Sequence, residues 1–159
     1  MMKLLSQRDP DWANVTIGES DATIGRYGCT ITDISMLSDW YSRYRYAGKF
    51  CTPKKLAKKL KFTSTGLLYW RSIEEYDSLG FKFTWRFYSY DEARILPALN
   101  GKNTACLLRL YNGNLVHWVV GIKKIGNYYL VADPYPLPSG KRKLIHKINI
   151  SGGSTFDIK

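Results

Sequence analysis

Apolar residues recur at three- and four-residue steps at Ile31, Ile34, Leu37, Tyr41 and Tyr44, the spacing of one buried helix face. The pattern predicts a helix that opens at Cys29. A second helix is predicted after Thr52-Pro53, because a threonine hydroxyl caps free N–H groups and proline fits the first helical position. Its sequence, PKKLAKKLK at 53–61, sets Leu56 and Leu60 four apart among lysines. That gives one apolar edge and a basic outer face. A weaker helical pattern covers about 70–79. The first 28 residues show no sustained period and carry turn signals at DP (9–10), IGES (17–20) and IGRYG (24–28). They read as an extended, loop-rich lead-in.

Beyond residue 80 the period changes. FKFTWRFY at 81–88 alternates and is rich in aromatics, which predicts a strand. SYDEARILPAL at 89–99 reads as a short helix with Ser89 or Asp91 near its cap. TACLLRLY (104–111), HWVVGIKK (117–124) and YYLVAD (128–133) are three further strands, and KLIHKINI (143–150) is a fourth. There is no internal repeat or linker, so residues 1–159 form one domain. Helices first and an antiparallel sheet afterwards describe an α+β fold.

Composition narrows the function. Hydrophobic residues make up 45% of the chain and prolines number 6, which argues for a packed core and against disorder. No apolar run approaches the roughly 20 residues needed to span a bilayer. The N-terminal MMKLLSQRDPDW turns polar too soon for an export signal, so a soluble, cytoplasmic protein is expected. The balance of 24 basic and 13 acidic residues, +11, favours polyanionic surroundings such as cell wall, nucleic acid or anionic lipid. A merely solvated basic surface is the alternative. Three cysteines without CxxC spacing and two histidines argue against a disulfide scaffold and a zinc site. Phosphate-loop, dinucleotide and zinc-protease motifs are absent from the sequence, and nothing calls for a cofactor.

Cys29 is the first candidate for chemistry. A thiol attacks as thiolate, and a helix N-terminus together with a neighbouring imidazolium stabilises that charge. Gly28 would let the chain turn sharply and leave the sulfur uncrowded. The plainer reading is a buried filler, since free cysteine is among the most buried residue types. A partner must share the proton and a third group must orient it. His117 opens the strand HWVVGI and Asp133 ends YYLVAD. If these strands form a hairpin centred on Ile125, His117 and Asp133 are direct cross-strand neighbours with Cβ atoms about 5 Å apart. This requires a three-residue loop, Lys124-Ile125-Gly126, or a compensating bulge. A two-residue Gly126-Asn127 turn alone would send the two side chains to opposite faces.

The layout SQRDPDWA, IGRYGCTITDISML, TPKKLAKKL, HWVV and YYLVADP resembles the bacteriocin-processing (C39-like) type of cysteine peptidase, a branch of the papain-like superfamily. It is most similar to phage- and microbiome-encoded members that begin with an SQRDPxWA segment. The resemblance runs from Leu5 to about Pro134. It implies a papain-like fold with N-terminal helices packed on the antiparallel sheet, and peptidase activity. By motif, the nucleophile falls on Cys29, the general base and acid on His117 and the orienting carboxylate on Asp133. An oxyanion-hole amide falls on Gln7, a role that rests on the resemblance alone. Gln7 stands 22 positions before Cys29, further than in the bacteriocin-processing enzymes. Asp33 occupies a position where many relatives carry a small residue, and a carboxylate there raises the thiol pKa.

Other candidates are weaker. Cys106 lies in an apolar strand, Cys51 in a loop, and His146 has no obvious acidic partner. Trp118, which adjoins His117, and Trp12 are the substrate-binding candidates, with Trp70 a further aromatic for a cleft near Cys29. Two function classes follow. One is a cysteine hydrolase that cleaves an amide bond in a protein or a peptidoglycan stem peptide through an acyl-enzyme. The other is a non-catalytic binding module on the same fold, a phage structural component or basic nucleic-acid binder.

Overall fold

The computed structural model describes residues 1–111, 113 and 115–159. A short helix α1 (Ile24–Tyr27) leads directly into α2 (Cys29–Tyr44). Ile31, Ile34, Leu37 and Tyr41 of α2 are buried as their spacing requires, whereas Tyr44 is exposed and stacks on Trp40. α3 (Pro53–Lys59) starts as predicted: the Thr52 hydroxyl accepts from Lys55 N–H at 3.2 Å, with proline in the first turn. The predicted third helix is broken. α4 (Ser72–Glu75) is one turn, and a 3-10 turn (Asp77–Leu79) follows. Tyr76 between them leaves helical geometry at φ −99°, ψ 86°.

Six strands form one antiparallel sheet: β1 (Phe81–Phe87), β2 (Thr104–Tyr111), β3 (Val116–Ile125), β4 (Tyr128–Ala132), β5 (Lys143–His146) and β6 (Ile150–Ile158). α5 (Glu92–Asn100), capped by Asp91, lies between β1 and β2 in sequence. The spatial order is β1-β6-β2-β3-β4-β5. Residues 143–150 are therefore not one strand. A 3-10 turn at Lys147–Asn149 ends β5, and Ile150 starts β6.

Between Ile150 and Thr155, β6 carries Ser151, Gly152, Gly153 and Ser154, which interrupt the β-branched and aromatic signature of a strand. Its small residues are demanded by packing. A Cβ on Gly153 would sit 2.7 Å from the Leu107 carbonyl oxygen and 2.3 Å from the Phe87 ring.

The sheet is covered on both faces. Ile31, Ile34 and Leu37 of α2, with Leu56 of α3, pack on Leu107, Val120 and Phe156. On the other face Ile95 and Ala98 of α5 meet Leu108, Val119 and Val131. This is the expected α+β arrangement of N-terminal helices on an antiparallel sheet, with α5 as an added cover. Among the described residues no helix is long and apolar enough to cross a membrane.

Candidate active site

α2 begins at Cys29, with Gly28 before it as cap residue. Gly28 is not there for a special turn, because its φ of −89° is open to any residue. It is there for space: a Cβ would lie 2.6 Å from the Ile24 carbonyl oxygen. α1 thus presses against the start of α2. The sulfur emerges half-buried at the end of the helix where backbone N–H groups are unpaired. Burial pushes the Cys29 thiol up. The His117 imidazole outweighs this by hydrogen bonding and charge, aided by Trp118 N–H and the Thr30 hydroxyl, and holds the thiol below its ordinary value.

The hairpin that carries His117 and Asp133 takes the second of the two expected forms, a two-residue turn with a compensating bulge. Ile125 pairs with Tyr128, so the turn is the two-residue Gly126-Asn127, with Gly126 at φ 61°. That register alone would separate the two side chains. A bulge between Gly121 and Lys123 then shifts the pairing by one, so that Val120 faces Ala132. Continued one step, the ladder sets Val119 against Asp133, and His117 stands two residues along on the same face. The two are diagonal neighbours rather than direct ones, within reach of long side chains.

The ring bridges the gap: His117 Nε2 donates to Asp133 Oδ1 at 2.6 Å, which leaves Nδ1 for the sulfur. Burial lowers the His117 pKa, but Asp133 and Cys29 together raise it to about 9. Burial likewise raises Asp133, and His117, Lys143 and the Tyr135 N–H together bring it below the usual carboxylate range. Lys143 Nζ and Tyr135 N–H reach the carboxylate at 2.8 and 2.7 Å. Neither was singled out from sequence, since Lys143 sits in the run KRK that reads as a solvated patch.

Gln7 reaches the same place through the loop-rich lead-in. Its backbone N–H donates to Pro134 O at 2.8 Å, and its Nε2 to Gly25 O at 3.1 Å. It is tied to the residue after Asp133 on one side and to the helix before Cys29 on the other. The side chain is buried and its Oε1 has no partner among the described residues.

Asp33 lies one turn below Cys29, fully buried, with neither oxygen partnered among the described residues. Burial, and after it the charges of Cys29 and Asp133, push its pKa well above the carboxylate range. The site favours the neutral acid, which does not oppose a thiolate as an anion would.

A cleft of about 570 Å³ opens beside His117 and Asp133, with Gln7 on its wall. Leu110, Val116 and Ile145 give it an apolar side, and Arg26 and Lys143 a cationic one. The tryptophans lie elsewhere. Trp12 is in the core, its indole N–H on Ser6 O at 2.8 Å, and Trp118 packs its ring at a tilt against Trp70 beneath the surface. Cys51 and Cys106 are buried, and burial raises both thiols. His146 accepts from Ile148 N–H and meets no carboxylate among the described residues. Among those residues no group of three or more acidic, histidine or cysteine side chains forms a metal site.

No protein-family model matches the chain, and no curated protein matches its sequence. In structure it is similar to the peptidase domain of Streptococcus ComA, a bi-functional ABC transporter involved in a quorum-sensing pathway. The TM-score is 0.61 over 100% of both chains, at 15% identity. The chain has the fold of a papain-like cysteine peptidase domain.

Proposed function

We propose that the chain is a cysteine peptidase that hydrolyses an amide bond through a Cys29 acyl-enzyme. The observation that carries this reading is the His117 ring, held at 2.6 Å by Asp133, whose hydrogen bond and charge lower the thiol of Cys29 while those of Cys51 and Cys106 are raised. Cys29 thiolate attacks the carbonyl carbon, and the oxyanion forms beside the Cys29 N–H and the Gln7 amide. His117 gives its proton to the leaving amine, and the thioester remains. Water then loses a proton to His117 and attacks, releasing the acid and restoring the thiol. Asp133, fixed by Lys143 and Tyr135, keeps the ring oriented and its positive form favoured.

The substrate class is a protein or a peptidoglycan stem peptide. The exposed lysines of α3, Lys54, Lys55, Lys58 and Lys59, support contact with a polyanionic surface such as the cell wall. The test is paired. Iodoacetamide should label Cys29 well below pH 8, faster than Cys51 or Cys106, and peptide hydrolysis should vanish in Cys29→Ala. Equal labelling of the three thiols, with no hydrolysis of protein or stem-peptide substrates, would assign the chain to the binding modules instead.

A further inference from the structure

Trp118, the residue after His117 in β3, is flanked by a pair of arginines that no step above uses. Arg86 of β1 has its guanidinium 4.8 Å from the Trp118 ring centroid and 4.3 Å from that of Tyr88. Arg109 of β2 stands directly opposite Trp118 in the β2–β3 ladder, with Tyr111 next along that face. The pair therefore flanks the tryptophan next to the proposed general base.

Both side chains are positioned by a local departure from the sheet. Between Arg109 and Leu110 the β2–β6 register slips, because Gly152 pairs with Arg109 and Ile150 with Leu110. Ser151 is the extra residue. Its hydroxyl accepts from Arg109 Nη1 at 2.7 Å and donates to Arg109 O at 3.3 Å. The bare Gly152 leaves room for the other arginine, since a Cβ there would lie 3.1 Å from Arg86 Nη1. Arg86 Nη1 donates to Phe87 O and to Gly153 O.

Neither arginine is neutralised. Among the described residues no carboxylate lies within 4 Å of either guanidinium. Both are only partly exposed, and the two cations oppose each other. Half-buried cations normally find an acidic partner, because burial without one is unfavourable. Two convergent guanidinium groups, each with donors left over, match the planar oxygens of a carboxylate.

We infer that Arg86 and Arg109 form a substrate subsite for a carboxylate near the scissile bond, so that the peptides cleaved carry an acidic residue there. This deepens the peptidase reading and rests on it. Arginine between aromatic rings also suits a nucleic acid, but the pair packs around the residue that follows the proposed base, on the strand a peptide held at that base would meet. The specificity is electrostatic, so it weakens as salt rises.

The experiment uses binding, which needs no catalysis. Cys29→Ala protein is titrated with fluorescein-labelled, end-capped alanine octapeptides that carry one Glu, or its neutral twin Gln, at each position in turn. The expected result is one register in which the Glu peptide binds at least about tenfold tighter than the Gln peptide. Arg109→Gln and Arg86→Gln should erase that difference, and Arg109→Glu should disfavour the Glu peptide. Thermal unfolding of each variant shows that it is folded, and Arg109→Gln alone suffices if Arg86→Gln is not. Equal binding of Glu and Gln peptides, or of neither at millimolar concentration, overturns the subsite. So does salt-dependent capture of a labelled oligothymidylate in place of the Glu peptide. Any of these leaves the peptidase reading standing, which is decided separately by thiol labelling and Cys29→Ala hydrolysis.

Discussion

Lys143 Nζ lies 2.8 Å from Asp133 Oδ2, the carboxylate oxygen that His117 does not hold. The buried carboxylate is thus gripped at both oxygens. Lys143→Met leaves one of them without its charged partner, at a cost of about 1–3 kcal/mol. A fall in Tm of several degrees is expected, together with slower hydrolysis as Asp133 gains freedom to turn from the ring. An unchanged Tm would show that the grip adds nothing.

The raised His117 sets the alkaline side of the pH profile. Its imidazolium supplies the proton for the leaving amine, so hydrolysis should fall as pH rises through about 9. The same group links to folding. Its stabilising contribution is complete below the unfolded value of about 6.5 and is lost as pH rises through about 9. Urea melts of wild type and His117→Ala should differ in slope across that window. A parallel pair of curves would contradict the assignment.

His117→Ala also frees the thiol pKa to follow burial upward. Alkylation of Cys29 by iodoacetamide at pH 7 should slow about tenfold or more. An unaltered rate would mean that the helix terminus alone activates the sulfur.

Asp33 makes a prediction of opposite sign to an ordinary carboxylate. Its pKa is higher folded than unfolded, so it destabilises the fold increasingly as pH climbs above the unfolded value of about 3.9. Asp33→Asn removes that slope. The variant should gain on wild type between pH 4 and neutrality and lose the advantage below about pH 3. Stability of both proteins measured against pH checks this, and a difference between variant and wild type that does not grow over the same range would refute it.

Gly28→Ala tests the contact between α1 and α2. Its Cβ would meet the Ile24 carbonyl oxygen at 2.6 Å, and forced overpacking of this kind costs about 1–3 kcal/mol. Hydrolysis should fall with Tm, because the displaced backbone carries Cys29. An alanine variant as stable as wild type would place α1 further away.

Periodicity alone located α2, α3, α5 and β1–β4, because each buries a face whose spacing is written in large apolar residues. It failed at β6, where close approach of Phe87 and Leu107 demands glycine and small hydroxyls that read as a loop. It read residues 70–79 as one helix because Ile73 and Leu79 are both buried, although the chain breaks between them at Tyr76. At the site, the Cys29–His117–Asp133 convergence followed from a helix start and two strand ends. Of the two hairpin forms expected behind it, the bulged one is present, and only the bulge's place at Ile122 leaves no mark in composition. Gln7 came from resemblance, and its buried, unpartnered oxygen had no sequence signal at all. Trp12 and Trp118 illustrate the limit of reading aromatics, whose area serves a core as readily as a cleft.

The position of β6 has a consequence for how the molecule is made. Among the described residues β1 joins the sheet only through β6, so it has no strand to pair with until the ribosome has released residues through Ile158. Until then β2 presents a bare edge, of the kind that recruits strands from other chains. A premature stop after Asn149 should therefore yield aggregate in the cell rather than a shorter working protein, although the truncated chain would still contain the thiol, the imidazole and both carboxylates.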